Sequence, residues 1–319
     1  MKTLVRSFIF ILVIFLSCKK DDKINQIHKL STSEIKNITA FTAASGGNIT
    51  SEGISTVLGR GVCWSTNANP TINDSKTIDG AGVGSFSSNL IGLKGSTTYY
   101  VKAYATNNSG TGYGMTLSFN TKEVVSDIDG NVYPILTIGT QTWMAENLKT
   151  TKYNDGGSIA FPGNDNTAWQ NNTNGSYAWF NNDINTYKVT YGALYNWYAV
   201  NTGKLCPTNW HIPSDTEWYT LANFLGGQSI AGGKLKETGT THWTYNTGAT
   251  NETGFSALPA GGRLNNGTFN YFGYHGFWWN SSEVNTNSGL VWYVRYDSGD
   301  LSRSSYNKNY GFSIRCIKN

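Results

Sequence analysis

Residues 206–227 read CPTNWHIPSDTEWYTLANFLGG, a stretch that holds a cysteine, a histidine, two tryptophans and two carboxylates, as an active site would. Its order favours scaffold. Ser214 followed three residues later by Glu217 is a capping box, with the serine accepting from an early helical N–H and the glutamate reaching back to the cap. Asp215 and Glu217 put negative charge in the first turn, where the helix dipole favours it. Trp218, Leu221, Ala222 and Leu225 then fall on one helical face, Gly226-Gly227 stops the helix, and Pro213 holds the entering chain extended. The tryptophans therefore read as core anchors and the carboxylates as helix-start groups.

Outward from this stretch, 319 residues suit two domains and a leader. Only 14% of residues are charged, while there are 36 Gly, 11 Trp and 19 Tyr, a balance typical of loop-rich extracellular β proteins. The start, MKTLVRSFIFILVIFLSCKKDDK, has basic Lys2 and Arg6, an apolar run from Phe8 to Leu16, then Ser17 and Cys18. The run is too short for a permanent membrane helix, which needs about 20 residues, so residues 1–17 read as a cleaved export signal. The segment resembles a bacterial lipoprotein signal with Cys18 as the lipidated residue, although Phe15 stands where such signals usually carry Leu. Lys20-Asp21-Asp22 resembles the Lys-acidic-acidic signal for the outer face of the outer membrane, and residues 18–32 read as a lipidated tether. Loss of Lys2 and Arg6 leaves 22 basic against 20 acidic residues, with no polybasic stripe to suggest nucleic acid.

From residue 33 to 122, short β-prone runs alternate with Gly, Asn and Ser clusters, which predicts an antiparallel sandwich. In STTYYVKAYATNNSGTGYG (96–114) the residues Tyr99, Val101, Ala103 and Ala105 alternate with Tyr100, Lys102, Tyr104 and Thr106, the pattern of a half-buried strand. The spacing of Leu93, Thr97 and Tyr99 is similar to the tyrosine corner of fibronectin type III and immunoglobulin-like domains, and the expected role is a spacer. Cys63, in a strand without a partner nearby, reads as a buried free thiol.

After a join at 123–126, Asp129-Gly130 is a hairpin-turn candidate. The Asp127, Asp129, Asn131 spacing could serve Ca²⁺, but the further ligands of a full loop are missing, and the turn reading is preferred. Here the resemblance becomes specific. DGNVYPILTIGTQTWMAENLKTTKYNDG, YGALYNWYAV, LCPTNWHIPSDTEWYTL, NETGFSALPAGGR and GFSIRCIK resemble, in order and across residues 127–319, the Fibrobacter succinogenes major paralogous domain. That resemblance implies a secreted or surface protein, mostly of a kind without an established activity. YGALYNWYAV followed by CPTNWHIPSDTEW is also similar to the C-type-lectin-like and formylglycine-generating-enzyme folds. Together these imply an α+β molecule: a β-sandwich, then a C-type-lectin-like domain of one twisted antiparallel sheet and two helices. The catalytic cysteine pair of the oxidising enzymes is not matched, since only Cys316 lies near the C-terminal end. The lectin calcium motifs are not matched either. Cys206 and Cys316 instead fit a disulfide in an exported chain, with pairings to Cys63 still open from sequence.

His211, His242 and His275 lack zinc-site spacing. Asp155, Asp165, Asp183, Glu252, Glu283, Asp297 and Asp300 are carboxylates in search of a pair, and no nucleophile elbow is present. No catalytic residue, metal ligand or cofactor is assigned. WWNSSEVNTNSGLVWYVRYDSGDLSRSSYNKNYG (278–311) interleaves aromatic rings with amides and guanidinium groups, which suits recognition of sugars or peptide side chains. Trp279, Arg295, Tyr296, Arg303 and Tyr306 are the expected ligand-binding residues. The resulting expectation is a surface lipoprotein with a noncatalytic binding or adhesion module for glycan or protein ligands. A surface glycan hydrolase and a purely structural surface-layer component are the alternatives. Labelled fatty acid should enter the wild-type protein and not Cys18→Ala, measured by gel autoradiography of whole cells.

Overall fold

The computed structural model describes residues 29–53 and 55–319; the leader and Cys18 lie outside them. The chain divides into two compact units. One holds residues up to 120 apart from 39–41 and 93–97, and the other holds 121–319 with those two short segments.

The first unit contains β1 (Lys29–Thr32), β2 (Ala43–Ser51), β3 (Gly59–Ser65), β4 (Ser75–Lys76), β5 (Gly84–Leu90), β6 (Thr98–Asn107), β7 (Gly110–Tyr113) and β8 (Leu117–Asn120). β1-β2-β5 form one antiparallel sheet; β4-β3-β6-β7 form the other, with β8 also on β6. Tyr99, Val101, Ala103 and Ala105 of β6 are all buried, and Ile49 of β2 packs with Ala105 between the sheets. β1 places residues 29–32, within the segment read as tether, in the first sheet. Cys63 is free and buried in β3, its thiol pushed up to about 11 by burial.

The second unit contains β9 (Val124–Ser126), β10 (Val132–Ile138), β11 (Gln141–Met144), α1 (Asn166–Gln170), β12 (Tyr177–Ala178), α2 (Ile184–Tyr191), β13 (Leu194–Asn196), α3 (Trp197–Val200), β14 (Trp210–His211), α4 (Asp215–Phe224) and α5 (Gln228–Leu235). It continues through β15 (Gly262–Arg263), β16 (Phe269–Asn270), β17 (His275–Asn285), β18 (Ser288–Arg295), β19 (Leu301–Asn307), β20 (Gly311–Phe312) and β21 (Ile317–Lys318). Three sheets result, in the orders β14-β21-β11-β10-β9, β12-β13-β20-β15-β16 and β17-β18-β19.

This corrects the expected fold class. Among the described residues strand far outweighs helix, and the second unit is neither α+β nor one twisted sheet with two helices: it has three sheets and only short helices, the longest of ten residues. The stretch YGALYNWYAV is divided among the end of α2, strand β13 and the four-residue α3. The break is at Gly192, whose φ of 75° favours glycine and whose position leaves no room for a Cβ, which would lie 2.8 Å from both Asn147 Cβ and the Leu148 carbonyl.

The scaffold reading of 206–227 holds. The capping box of Ser214 and Glu217 is present, and Trp218, Leu221, Ala222 and Leu225 are buried. The Asp129-Gly130 turn joins β9 to β10, which pair antiparallel. Cys206 is bonded to Cys316 across 110 residues.

At the centre of this unit sits Asn147. Its Nδ2 donates to the Tyr191 carbonyl at 2.9 Å and to Ser313 Oγ at 3.3 Å. Its Oδ1 accepts from Trp278 Nε1 at 2.8 Å and from Arg315 Nη2 at 3.0 Å and Nε at 3.3 Å. Arg315 is fully buried, donates from Nη1 to the Phe255 carbonyl, and lies 3.9 Å over the Phe255 ring. Burial lowers its pKa to about 9, so it is still charged at neutral pH. A buried charge held mainly by one amide makes that amide costly to remove. Asn147→Ala should lose about 3 kcal/mol or more in urea denaturation. Reducing the Cys206–Cys316 bond should lose roughly 4–5 kcal/mol, less any native strain it relieves.

Candidate binding face

The start of α4 fixes one edge of the candidate site. Asp215 Oδ1 accepts from Arg303 Nε at 2.8 Å, Trp292 Nε1 at 2.9 Å and Asn280 Nδ2 at 3.2 Å, while Oδ2 meets Arg303 Nη2 at 2.8 Å. Hydrogen bonding to Asp215 raises the Arg303 pKa further. Arg303, expected as a ligand contact, is thus committed to a carboxylate, although it still lines an open groove of about 530 Å³ with Tyr219, Tyr293, Asp300 and Ser302.

Trp279, also expected as a ligand contact, is corrected to a core residue. It is wholly buried and donates from Nε1 to the Tyr195 carbonyl at 2.8 Å. The reason lies in the register of the β17-β18-β19 sheet, whose two faces are both covered: Trp278 pairs with Trp292 toward one cluster, and Trp279 with Val291 toward another. All eleven tryptophans of the chain are in fact buried.

The aromatic surface beside the β17-β18-β19 sheet is built from tyrosine. Phe277 is buried at its centre, with Tyr293 at 5.5 Å, Tyr271 at 5.7 Å and Tyr306 at 5.8 Å between ring centroids; Tyr310 lies 5.2 Å from Tyr306. Strand alternation explains the grouping, since Phe277 faces Tyr293 across β17 and β18, and Tyr306 stands opposite Gly289 on β18. A second group follows from Tyr296, with Tyr274 at 5.2 Å and Tyr245 at 6.3 Å. Tyr245, Tyr271 and Tyr274 are exposed. His275 joins the two groups, stacked on Phe277 at 5.3 Å.

Arg295 pairs across the strands with His275 and meets Asp297 at 3.5 Å, too loosely for a hydrogen bond. Its Nε and the Nδ1 of His275 are buried without partners. Burial, then the Arg295 charge, lowers the His275 pKa. The Arg295 carbonyl is held by Lys236, whose ammonium also donates to the Thr247 and Ser298 carbonyls, all at 2.8–2.9 Å. Of the expected set, Arg295, Tyr296 and Tyr306 thus belong to this face. Tyr271, Tyr274 and Tyr310 were missed. Two of them sit in the turn before β17, where no periodicity marks them, and Tyr310 follows β19.

The other candidate groups are engaged elsewhere. Asp155 pairs with Lys204, Glu252 with Lys234 and Glu283 with Lys308, while Asp165 and Asp183 cap helices. His211 meets Glu217 and His242 meets Glu237. In the first hairpin of the unit, Asp127 accepts from two backbone N–H groups, Asn131 Nδ2 and the Tyr133 hydroxyl, and Asp129 from Thr151 and Lys152. The turn is thus closed by protein donors, which is what its spacing serves.

The second unit is a β-rich domain of mainly antiparallel strands that carries a tyrosine-lined face. Residues 136–318 match the family described as the Fibrobacter succinogenes major domain, and the chain belongs to that family. No curated protein matches it. Solved structures similar to part of the chain include the sensor domain of the anti-sigma factor RsgI4 in Pseudobacteroides cellulosolvens, 17% identical over 30% of this chain and 76% of that one, TM-score 0.25. A fibronectin type III domain derived from the human KIAA0970 protein is another, 19% identical over 33% of this chain and 81% of that one, TM-score 0.24.

Burial, followed by its neighbours Tyr293, Tyr271 and Tyr310, pushes the Tyr306 pKa up to about 12. The folded state therefore prefers the neutral phenol. That contribution is complete below the unfolded tyrosine pKa of about 10 and is lost as pH rises through about 12. Tyr191 is likewise pushed up to about 12 by burial, so Tyr306→Phe should reduce the tyrosinate absorbance that develops near pH 12 without abolishing it.

Proposed function

We propose that this protein is a lipid-anchored outer-membrane protein facing the cell exterior, whose C-terminal domain is a noncatalytic recognition module for an extracellular glycan or protein ligand. The Lys20-Asp21-Asp22 sequence after Cys18 supports the address. The recognition role rests on one observation: tyrosines line an accessible face while every tryptophan is buried. Rings of this kind supply contact area at small entropic cost, and their hydroxyls add polar contacts. The first unit serves as the spacer that carries this face away from the membrane.

External protease should degrade the protein on intact cells, and protection there would remove the surface assignment. The full-length protein in detergent, applied to glycan and protein arrays, should bind a definable ligand class. Tyr274→Ala with Tyr296→Ala should weaken that binding by about 2 kcal/mol or more, with the melting temperature nearly unchanged. Unaltered binding would move the ligand off this face.

A further inference from the structure

The tyrosine face has an internal division. Around Tyr296 the rings are displayed at the rim, whereas Tyr271, Tyr293 and Tyr306 surround the buried ring of Phe277, and Tyr310 adjoins Tyr306. Among the described residues, none of these four hydroxyls has a hydrogen-bond partner in the protein, and none is among the buried polar atoms shut off from solvent. Four phenol groups in one patch, each able both to donate and to accept, are therefore presented without a protein acceptor or donor.

We propose that Tyr271, Tyr293, Tyr306 and Tyr310 form a subsite for a neutral saccharide, with ring faces covering its C–H surfaces and phenol hydroxyls bonding its hydroxyls. This rests on the recognition role proposed above and names its ligand class. Charge argues for neutrality. The groups that shift the Tyr306 hydroxyl are burial and the other three tyrosines, with no carboxylate or cation among them. The nearby cation Arg295 faces its own counter-charge, Asp297. Because Arg295 stands 3.5 Å from Asp297, a uronate or an acidic peptide reaching for that cation would meet the carboxylate as well. An apolar peptide side chain laid over the patch would strip water from four hydroxyls and give nothing back. A sugar ring, with an apolar face and a hydroxyl rim, satisfies both halves of the surface. Tyr293 also lines the groove beside Arg303, so a chain longer than one sugar has a path off the subsite along β19.

The test is affinity electrophoresis of the full-length protein in detergent, through native gels containing xylan, mannan, mixed-linkage β-glucan or polygalacturonate. At least one neutral polysaccharide should retard the wild type, and polygalacturonate should not. Tyr271→Phe with Tyr310→Phe keeps the rings and removes two hydroxyls; it should raise the apparent dissociation constant about tenfold or more, because a site built to bond hydroxyls discriminates strongly when those bonds are lost. Near-ultraviolet circular dichroism checks that the variant is folded, and should it not be, the single variants Tyr271→Phe and Tyr310→Phe take its place. Retardation of the folded variant equal to wild type overturns the hydroxyl subsite, as does retardation by polygalacturonate alone. If no polysaccharide retards the wild type while the arrays return a protein ligand, the saccharide inference fails and the recognition role stands. If the arrays return nothing, the recognition role fails with it.

Discussion

The second unit is organised around one buried charge. Among the described residues Arg315 makes no ion pair, although the charge of Glu146 acts on it; its guanidinium is held by the side-chain oxygen of Asn147, the Phe255 carbonyl and the faces of Phe255 and Trp278. An isolated charge in an apolar interior is tolerated only when its donors are satisfied and rings lie over its face. Asn147 therefore has to be where it is, and everything that positions Asn147 follows. Its own amide donates to Tyr191 and Ser313, so the end of α2 and the approach to β21 are fixed by the same side chain. Gly192 must lack a side chain because Asn147 and Leu148 occupy that space.

This gives a physical meaning to the motifs scattered along the sequence. WMAENLK contributes Asn147, YGALYNWYAV the Tyr191 carbonyl, GFSALPAGGR Phe255, WWN Trp278, and GFSIRCIK both Ser313 and Arg315. CPTNWHIPSDTEW adds Trp218, whose ring lies within 6.3 Å of Phe255 and 6.2 Å of Trp278. Segments far apart in the chain carry one packing solution, and the densest of them is scaffold. The tyrosine-lined face lies on residues outside most of these motifs.

Local signals were legible because their partners are near in sequence. The capping box at Ser214, the apolar face of α4, the Asp129-Gly130 turn and the alternation in β6 all involve residues within a few positions of one another. What depended on distant neighbours was not. Nothing local says that Asp215 will hold Arg303, 88 positions away. Trp279 has the composition of a contact residue, and only a second layer on both sides of its sheet makes it core. YGALYNWYAV has helical content at both ends, and the close approach of Asn147 to Gly192 breaks it. The disulfide was legible by compartment and count, since two of the four cysteines share this region.

The separations within the central network also govern how the domain can form. Trp278 and Arg315 reach Asn147 across 131 and 168 positions, so the network is absent until most of the unit has been assembled in space. Loop closure must be met before these contacts contribute, which makes folding slow compared with a helical domain of equal length. During that interval the many tryptophans of the unit are uncovered, and a chain with uncovered aromatic surface and unpaired strand edges is prone to self-association. The bond between Cys206 and Cys316 ties together the segments that carry β14 and β21, which pair in the folded unit, so once formed it shortens the remaining search. A chain in which these two thiols pair early therefore has a shorter search left before its tryptophans are covered.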